Sequence, residues 1–191
     1  MQVRVRYRLN VLILASGSPR RHDLLRAAGI EHVVKAAAIS EERKPGENPL
    51  DLVQRLAREK GRAIARGPSD IVLAADTEVC IGNEVFGKPS DEEDARRMLR
   101  LLSGRDHWVH TGICIVSARR EIADVSSTRV RFVDLTEDEI TEYTRSGEPL
   151  GKSGGYGIQG PASKFVRSIE GCYFNIVGLP VSLVYQHLKS L

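Results

Sequence analysis

No apolar run in this chain approaches the roughly 20 residues that a helix needs to cross a bilayer, so no membrane partner is expected. The first ten residues lack the long apolar centre of a secretory signal; instead Val3, Val5, Tyr7 and Leu9 alternate with Arg4, Arg6 and Arg8. Metal-ligand spacing is missing as well. The three cysteines, Cys80, Cys114 and Cys172, are scattered, and the five histidines, His22, His32, His107, His110 and His187, form no paired spacing. Cys80 and Cys114 stand among Val and Ile, as small buried hydrophobes do. An odd cysteine count without a signal points to a reducing compartment, hence a cytoplasmic location. Excess charge of one sign is scarce too: 28 basic residues against 25 acidic leave +3, and the three N-terminal arginines supply all of it. The balanced remainder gives no case for a nucleic-acid partner. Internal repeats, low-complexity tracts and disordered linkers are also lacking.

What is present is an alternation of strand and helix signals over 191 residues, the pattern of an α/β protein with one domain or two small lobes. Residues 11–14 read as a strand and 19–28 as a helix closed by Gly29. A strand over 32–38 and a polar loop over 40–48 lead to a long helix over 49–66, with Leu50, Val53, Leu56, Ala57 and Ile64 on one face. Residues 70–75 read as a fully buried strand ending at Asp76-Thr77, and 79–86 as a hairpin turning at Gly82-Asn83. Ser90 and Glu93 form a capping box for a helix over 90–102, closed by Gly104; Thr136 and Glu139 form a second box for a helix closed by Gly147. Between those helices lie two β-type runs, 107–118 and 121–133. Short strands are expected around Phe165 and Phe174, then a last helix from Pro180. Residues 1–10 are an extension: an extra edge strand, a basic tail or an over-long start.

Chemistry concentrates at a few junctions. The strand over 11–14 runs into Ser16-Gly17-Ser18-Pro19-Arg20-Arg21, a turn with two hydroxyls, a helix-starting proline and two guanidinium groups. A helix N-terminus leaves N–H groups unpaired and carries positive partial charge, and arginine matches phosphoryl oxygens bidentately, so this turn suits a phosphate as well as it suits a plain capped helix. Asp76 follows five apolar residues, where a carboxylate is poorly solvated unless a divalent cation, a lysine or backbone donors compensate it; a turn-capping Asp is the plainer reading. Glu41 and Glu42 stand in the polar loop, and one of them with Asp76 would suffice for Mg²⁺, which takes few protein oxygens beside water and phosphate. Lys88, between Gly87 and Pro89, and Lys60, near a helix end, are cations suited to phosphate or simply to the surface. The loop 151–160 carries five glycines in ten residues, interleaved with Tyr156, Ile158 and Gln159, whose amide suits a nucleobase edge.

Taken in order, Ser16-Gly17-Ser18-Pro19-Arg20-Arg21, Ala75-Asp76-Thr77, Gly87-Lys88-Pro89, Leu102-Ser103-Gly104, the stretch Gly154-Gly155-Tyr156-Gly157-Ile158-Gln159-Gly160 and Val177-Gly178-Leu179-Pro180 resemble the Maf nucleotide pyrophosphatases, from about Leu12 to Leu188. The resemblance implies a two-lobed, Maf/ITPase-like α/β fold over residues 11–191, a mixed sheet with flanking helices and a cleft between lobes, usually in a homodimer. It implies hydrolysis of a nucleoside triphosphate to the monophosphate and pyrophosphate with a divalent cation, Mg²⁺ or Mn²⁺. Asp76 is then the base or metal-linked carboxylate, Glu41 the loop carboxylate, and Ser16, Arg21, Lys60 and Lys88 the phosphate-holding residues. Arg20, Thr77 and Gln159 match the branch acting on dTTP and UTP; a sister branch preferring 7-methyl-GTP has Trp, Gln and Glu there. Where the family usually begins its glycine loop Asp-Lys-Ala-Gly, this chain reads Gly151-Lys152-Ser153-Gly154, with Glu148 three residues earlier as a substitute carboxylate. The family's link to septum formation gives the alternative, a nucleotide-binding regulator of cell division that does not hydrolyse.

Overall fold

The computed structural model describes residues 11–64 and 66–191. The extension expected over residues 1–10 lies outside them. Strand β1 (Leu12–Leu14) is followed by helix α1 (Pro19–Ala27), strand β2 (Val33–Val34), helix α2 (Pro49–Ala63), strands β3 (Ile71–Ile81) and β4 (Glu84–Phe86), and helix α3 (Glu92–Leu102). Strands β5 (Asp106–Val116) and β6 (Glu121–Phe132), helix α4 (Glu137–Arg145), strand β7 (Val166–Glu170) and helices α5 (Tyr173–Val177) and α6 (Val181–Lys189) complete the order. The sheet has the strand order β2-β1-β3-β5-β6-β7, with β4 pairing β3. It is mixed: β1 runs parallel to β2 and β3, whereas β4 returns antiparallel on β3 and β7 antiparallel on β6. No helix among the described residues is long and apolar enough to cross a membrane.

The chain divides into two compact units. Unit 1 takes the residues up to Asp76 with 111–126 and 178–191; unit 2 takes 77–110 and 127–177. In unit 1, Leu12, Ile13 and Leu14 pair with Ile71, Val72 and Leu73, and all six side chains are buried. Helix α2 covers this sheet with Leu52, Val53, Leu56 and Ala57, each at most 2% exposed. A buried leucine or valine contributes roughly 1.5–3 kcal/mol, so this face alone accounts for docking the helix. Two glycines set how close it comes. A Cβ at position 112 would stand 2.2 Å from the Val53 carbonyl oxygen, and one at position 61 would stand 3.1 Å from a Val116 methyl.

In unit 2 the amphipathic helices α3 and α4 pack on each other, with Ala95, Met98, Leu99, Ile140 and Tyr143 buried. The expected capping box at Thr136 and Glu139 is present: Glu139 N–H donates to Thr136 Oγ1, and Thr136 N–H donates to the Glu139 carboxylate at 2.8 Å.

Four local expectations are corrected. Strand β3 does not stop at Asp76 but continues to Ile81, because the apolar run resumes at Val79 and Cys80 and pairs with β4. The cap of α3 is Asp91, which accepts from Asp94 N–H at 2.8 Å, while Ser90 N–H donates to Asp94 Oδ2. Leu50 lies 45% exposed; Leu52, two positions on, takes the buried place. The segment around Phe174 is the short helix α5 rather than a strand, and Phe174 itself is exposed.

Candidate functional site

In unit 1 the ladder of β1 on β3 runs one residue beyond the paired strand, since Ala15 N–H donates to the Leu73 carbonyl at 2.8 Å. Ser16 follows at once, and Asp76 lies three residues beyond Leu73. Both are only 6% exposed. Pro19 opens α1 as its first residue, and among the described residues the Ser18 side chain makes no cap hydrogen bond. The positive end of the α1 dipole lies at this turn and favours an anion there. Ser16 Oγ organises the turn: it accepts from Ser18 N–H at 3.3 Å and from Arg21 Nη1 at 2.9 Å. Arg21 Nε donates to the Gly178 carbonyl at 2.8 Å, so the buried guanidinium is held from two sides and its planar fork has a fixed direction. Arg20, next to it on the same first turn, is half-buried.

The carboxylates meet at a lysine. Lys60, on the buried face of α2, donates to Asp76 Oδ1 at 2.6 Å, and Glu41 Oε1 lies 2.6 Å from the same ammonium nitrogen. The side chains of Lys60 and Asp76 are 9% and 8% exposed, that of Glu41 45%. An ion pair this sheltered is held at high cost if either partner is lost. Asp76 Oδ2 is buried and has no hydrogen-bond partner among the described residues. A buried carboxylate oxygen left in that state fits a proton or a cation. Asp76 and Glu41 on one point thus form a donor set compatible with Mg²⁺ or Mn²⁺, both oxygen-seeking ions. No group of three or more His, Cys, Asp or Glu side chains is placed to hold a metal among the described residues, so further oxygens would have to come from water and phosphate.

Glu41 sits on a fastened loop, and sequence reading missed the fastener. Arg55 of α2 grips Glu47 with two bonds, Nε to Oε1 at 2.6 Å and Nη2 to Oε2 at 2.9 Å, and also donates to the Glu42 carbonyl at 2.9 Å. The Arg55 hydrogen bonds hold the Glu47 carboxyl down at about 2. The partners stand eight positions apart in the chain, and neither belongs to a motif.

Unit 2 is assembled differently. The loop over 151–160 is tied to two backbone carbonyls, Ser153 Oγ donating to Thr77 O at 2.9 Å and Gly154 N–H to Gly87 O at 3.1 Å. Those bonds bring half-buried Thr77 and the segment carrying exposed Lys88 to one loop. Further along, Gly157 N–H donates to the Tyr143 hydroxyl at 3.2 Å, and Tyr156 shares a 2.8 Å hydrogen bond with His107 Nε2. Phe132 stacks edge-on against both rings. Burial pushes His107 down to about 4 and pushes the Tyr156 hydroxyl up, so both are neutral near pH 7. Gln159 is exposed at the turn of this buttressed loop. Tyr143, His107 and Ser153 were not singled out by sequence; the only signal was the aromatic interleaved among the glycines. Cys114, by contrast, behaves as expected, its thiol pushed up to about 12 by burial.

The family model described as Maf-like protein matches residues 11–191. A dTTP/UTP pyrophosphatase of Koribacter versatilis (strain Ellin345) is 47% identical over 187 residues, 97% of each chain. A dTTP/UTP pyrophosphatase of Bacillus cereus (strain G9842) is 45% identical over 94% of each. In fold, the chain is similar to the Ham1 protein of Staphylococcus aureus, with a TM-score of 0.54 at 10% identity, covering 95% of this chain and 99% of that one.

Proposed function

The chain belongs to the Maf family, and on that premise we propose that it hydrolyses dTTP and UTP to the nucleoside monophosphate and pyrophosphate. The observation that carries the reading is the buried Asp76, with one oxygen on Lys60 and the other lacking a partner among the described residues. Water attacks phosphorus at the bridge between the α- and β-phosphates. Its proton passes to Asp76 Oδ2, the bridging P–O bond breaks, and pyrophosphate leaves with the electron pair. Asp76 and Glu41 would hold Mg²⁺ or Mn²⁺, which supplies charge neutralisation on the phosphate oxygens.

Arg21, braced by Ser16 and the Gly178 carbonyl, holds phosphate oxygens together with the first turn of α1. Lys60 holds Asp76 Oδ1 at 2.6 Å and offsets charge that develops on the leaving group. In unit 2, Lys88 is assigned to phosphate. In the same unit, Thr77 and Gln159 are assigned to the pyrimidine nucleoside; in unit 1, Arg20 is the residue that matches the dTTP/UTP branch. The homodimer and the cytoplasmic location expected from the sequence belong to the same proposal, the first checked by a light-scattering mass twice that of the chain.

The test is release of pyrophosphate from dTTP, UTP, CTP and 7-methyl-GTP, with and without Mg²⁺ or Mn²⁺. Turnover of dTTP and UTP is expected, and Asp76→Asn should lower it by about 10²–10⁴-fold with the circular dichroism spectrum unchanged. Silence of the parent protein on every nucleotide would leave the non-hydrolysing regulator in its place.

A further inference from the structure

Gly157 and Gly160 pose a small puzzle. Neither has the positive φ that usually calls for glycine; Gly160 sits at φ −105°, and Gly157 is absent from the positive-φ set. What excludes a side chain is contact. A Cβ at position 160 would stand 2.7 Å from Glu148 Oε1, and one at position 157 would stand 3.0 Å from Lys152 Cε and 3.2 Å from the same Glu148 oxygen. Glu148 and Lys152 therefore lie directly on the backbone of the turn that Gly160 N–H closes onto the Gly157 carbonyl at 3.1 Å, with Gln159 inside it.

The two side chains hold each other there. Lys152 Nζ donates to the Glu148 main-chain carbonyl and stands 3.3 Å from its Oε1, with side-chain exposures of 17% and 32%. Glu148 is itself anchored, since its N–H donates to Ser146 Oγ, which donates in turn to the Tyr143 carbonyl at the end of α4. Gly157 N–H is held by the Tyr143 hydroxyl. One end of the Gln159 turn is thus pinned by a neutral hydroxyl, while the glycine faces of both ends are covered by an ion pair.

We propose that Glu148, paired with Lys152, is a positioning residue that fixes the Gln159 turn for recognition of the nucleobase. The inference rests on the assignment of Gln159 above and deepens it. Glu148 touches no reacting atom; it acts by lying on backbone that only glycine leaves open. The neighbours at 157 and 160 are the far ends of flexible side chains, so adding a methyl group displaces the ion pair rather than breaking the backbone. That gives two routes to the same lesion: Glu148→Ala removes the brace, and Gly160→Ala pushes it aside.

Both variants should raise KM for dTTP and UTP by about three- to tenfold with kcat within about twofold, the pattern of lost uniform binding. Glu148→Gln, which keeps the shape of the side chain, should recover part of the loss. Together the two lesions should cost little more than one, because each removes the same contact. Amide exchange at Gly157 and Gly160 is read in parallel without any nucleotide, and it should accelerate in both variants. Unchanged exchange overturns the bracing, as does faster exchange with unchanged KM for the coupling to base recognition. If the parent protein releases no pyrophosphate, the functional reading has failed, and exchange still decides whether Glu148 orders the turn.

Discussion

The centre of unit 1 and the glycine loop of unit 2 solve the problem of fixing a polar group in opposite ways. In unit 1 the groups are charged and sheltered: Lys60 stands on Asp76 and Glu41, and Arg21 is clamped by Ser16 and the Gly178 carbonyl. In unit 2 the groups around the loop are mostly neutral: His107 on Tyr156, Tyr143 on Gly157, Ser153 on the Thr77 carbonyl. Charge held in low dielectric acts strongly on a developing phosphate charge and is intolerant of loss. Neutral hydrogen bonds with aromatic packing fix shape at a smaller cost per contact. In the proposed function, reaction chemistry and base recognition make these two different demands, and the contrast predicts that the units respond differently to the same kind of damage.

The largest effect should come from Lys60→Ala. Removing one partner of a buried pair costs roughly 3–5 kcal/mol, because the sheltered Asp76 loses its donor. Turnover should fall by at least about a hundredfold as well, since an electrostatic stabiliser is lost. Urea denaturation and pyrophosphate release check the two parts. Lys60→Met combined with Asp76→Asn should regain most of the stability and none of the activity. A single variant as stable as the parent would break the contrast, because the charged centre would then behave like the neutral one.

Next comes the acid response of unit 2. His107 has its folded value lowered to about 4 from an ordinary 6.5 by burial. The unfolded chain therefore takes up a proton below about pH 6.5 while the folded one does not. Stability from this group is whole above pH 6.5 and declines as pH falls towards 4, by up to about 3 kcal/mol. His107→Gln keeps a polar group opposite Tyr156 but cannot titrate, so its stability should change less over that range. Denaturation midpoints at pH 7, 5.5 and 4.5 decide it; parallel curves for parent and variant would rule out His107 as the source.

The same contrast explains what was legible in the sequence. Local pattern marked Asp76 in its apolar run and Arg20-Arg21 after a strand and a proline as candidates, but suited a turn-capping Asp and a plain capped helix as well; the roles came from the resemblance. Strand β3 was cut short in the reading because Thr77 and Glu78 are polar, yet backbone pairing with β4 continues the strand past them. The neutral supports were not readable. His107 lies 49 residues from Tyr156 and Ser153 lies 76 from Thr77, and each partner looks ordinary until the chain folds. Arg55 and Glu47 fall between these cases: charged, but joined only through the geometry of a loop.

That pair gives the smallest and sharpest test, because it is a charged brace on the rim of unit 1 rather than in its centre. The Glu47 carboxyl is lowered to about 2 from 4.5, chiefly by its hydrogen bonds from Arg55. A lowered carboxyl stabilises the fold above its unfolded value and loses that stabilisation as pH falls through its folded value. Glu47→Gln should therefore be less stable than the parent above about pH 4.5, by about 1 kcal/mol for a partly solvated bidentate pair, and the gap should close as pH falls towards 2. Asp76 and Lys60 are untouched by the change, whereas Glu41 loses only the fastening of its loop. Activity should drop by a few-fold at most, far less than for Lys60→Ala. Urea midpoints at pH 7 and 3 measure the first effect and pyrophosphate release the second. A stability gap that stays constant with pH would show that Glu47 acts through shape and not charge, placing this part of unit 1 with the neutral supports of unit 2.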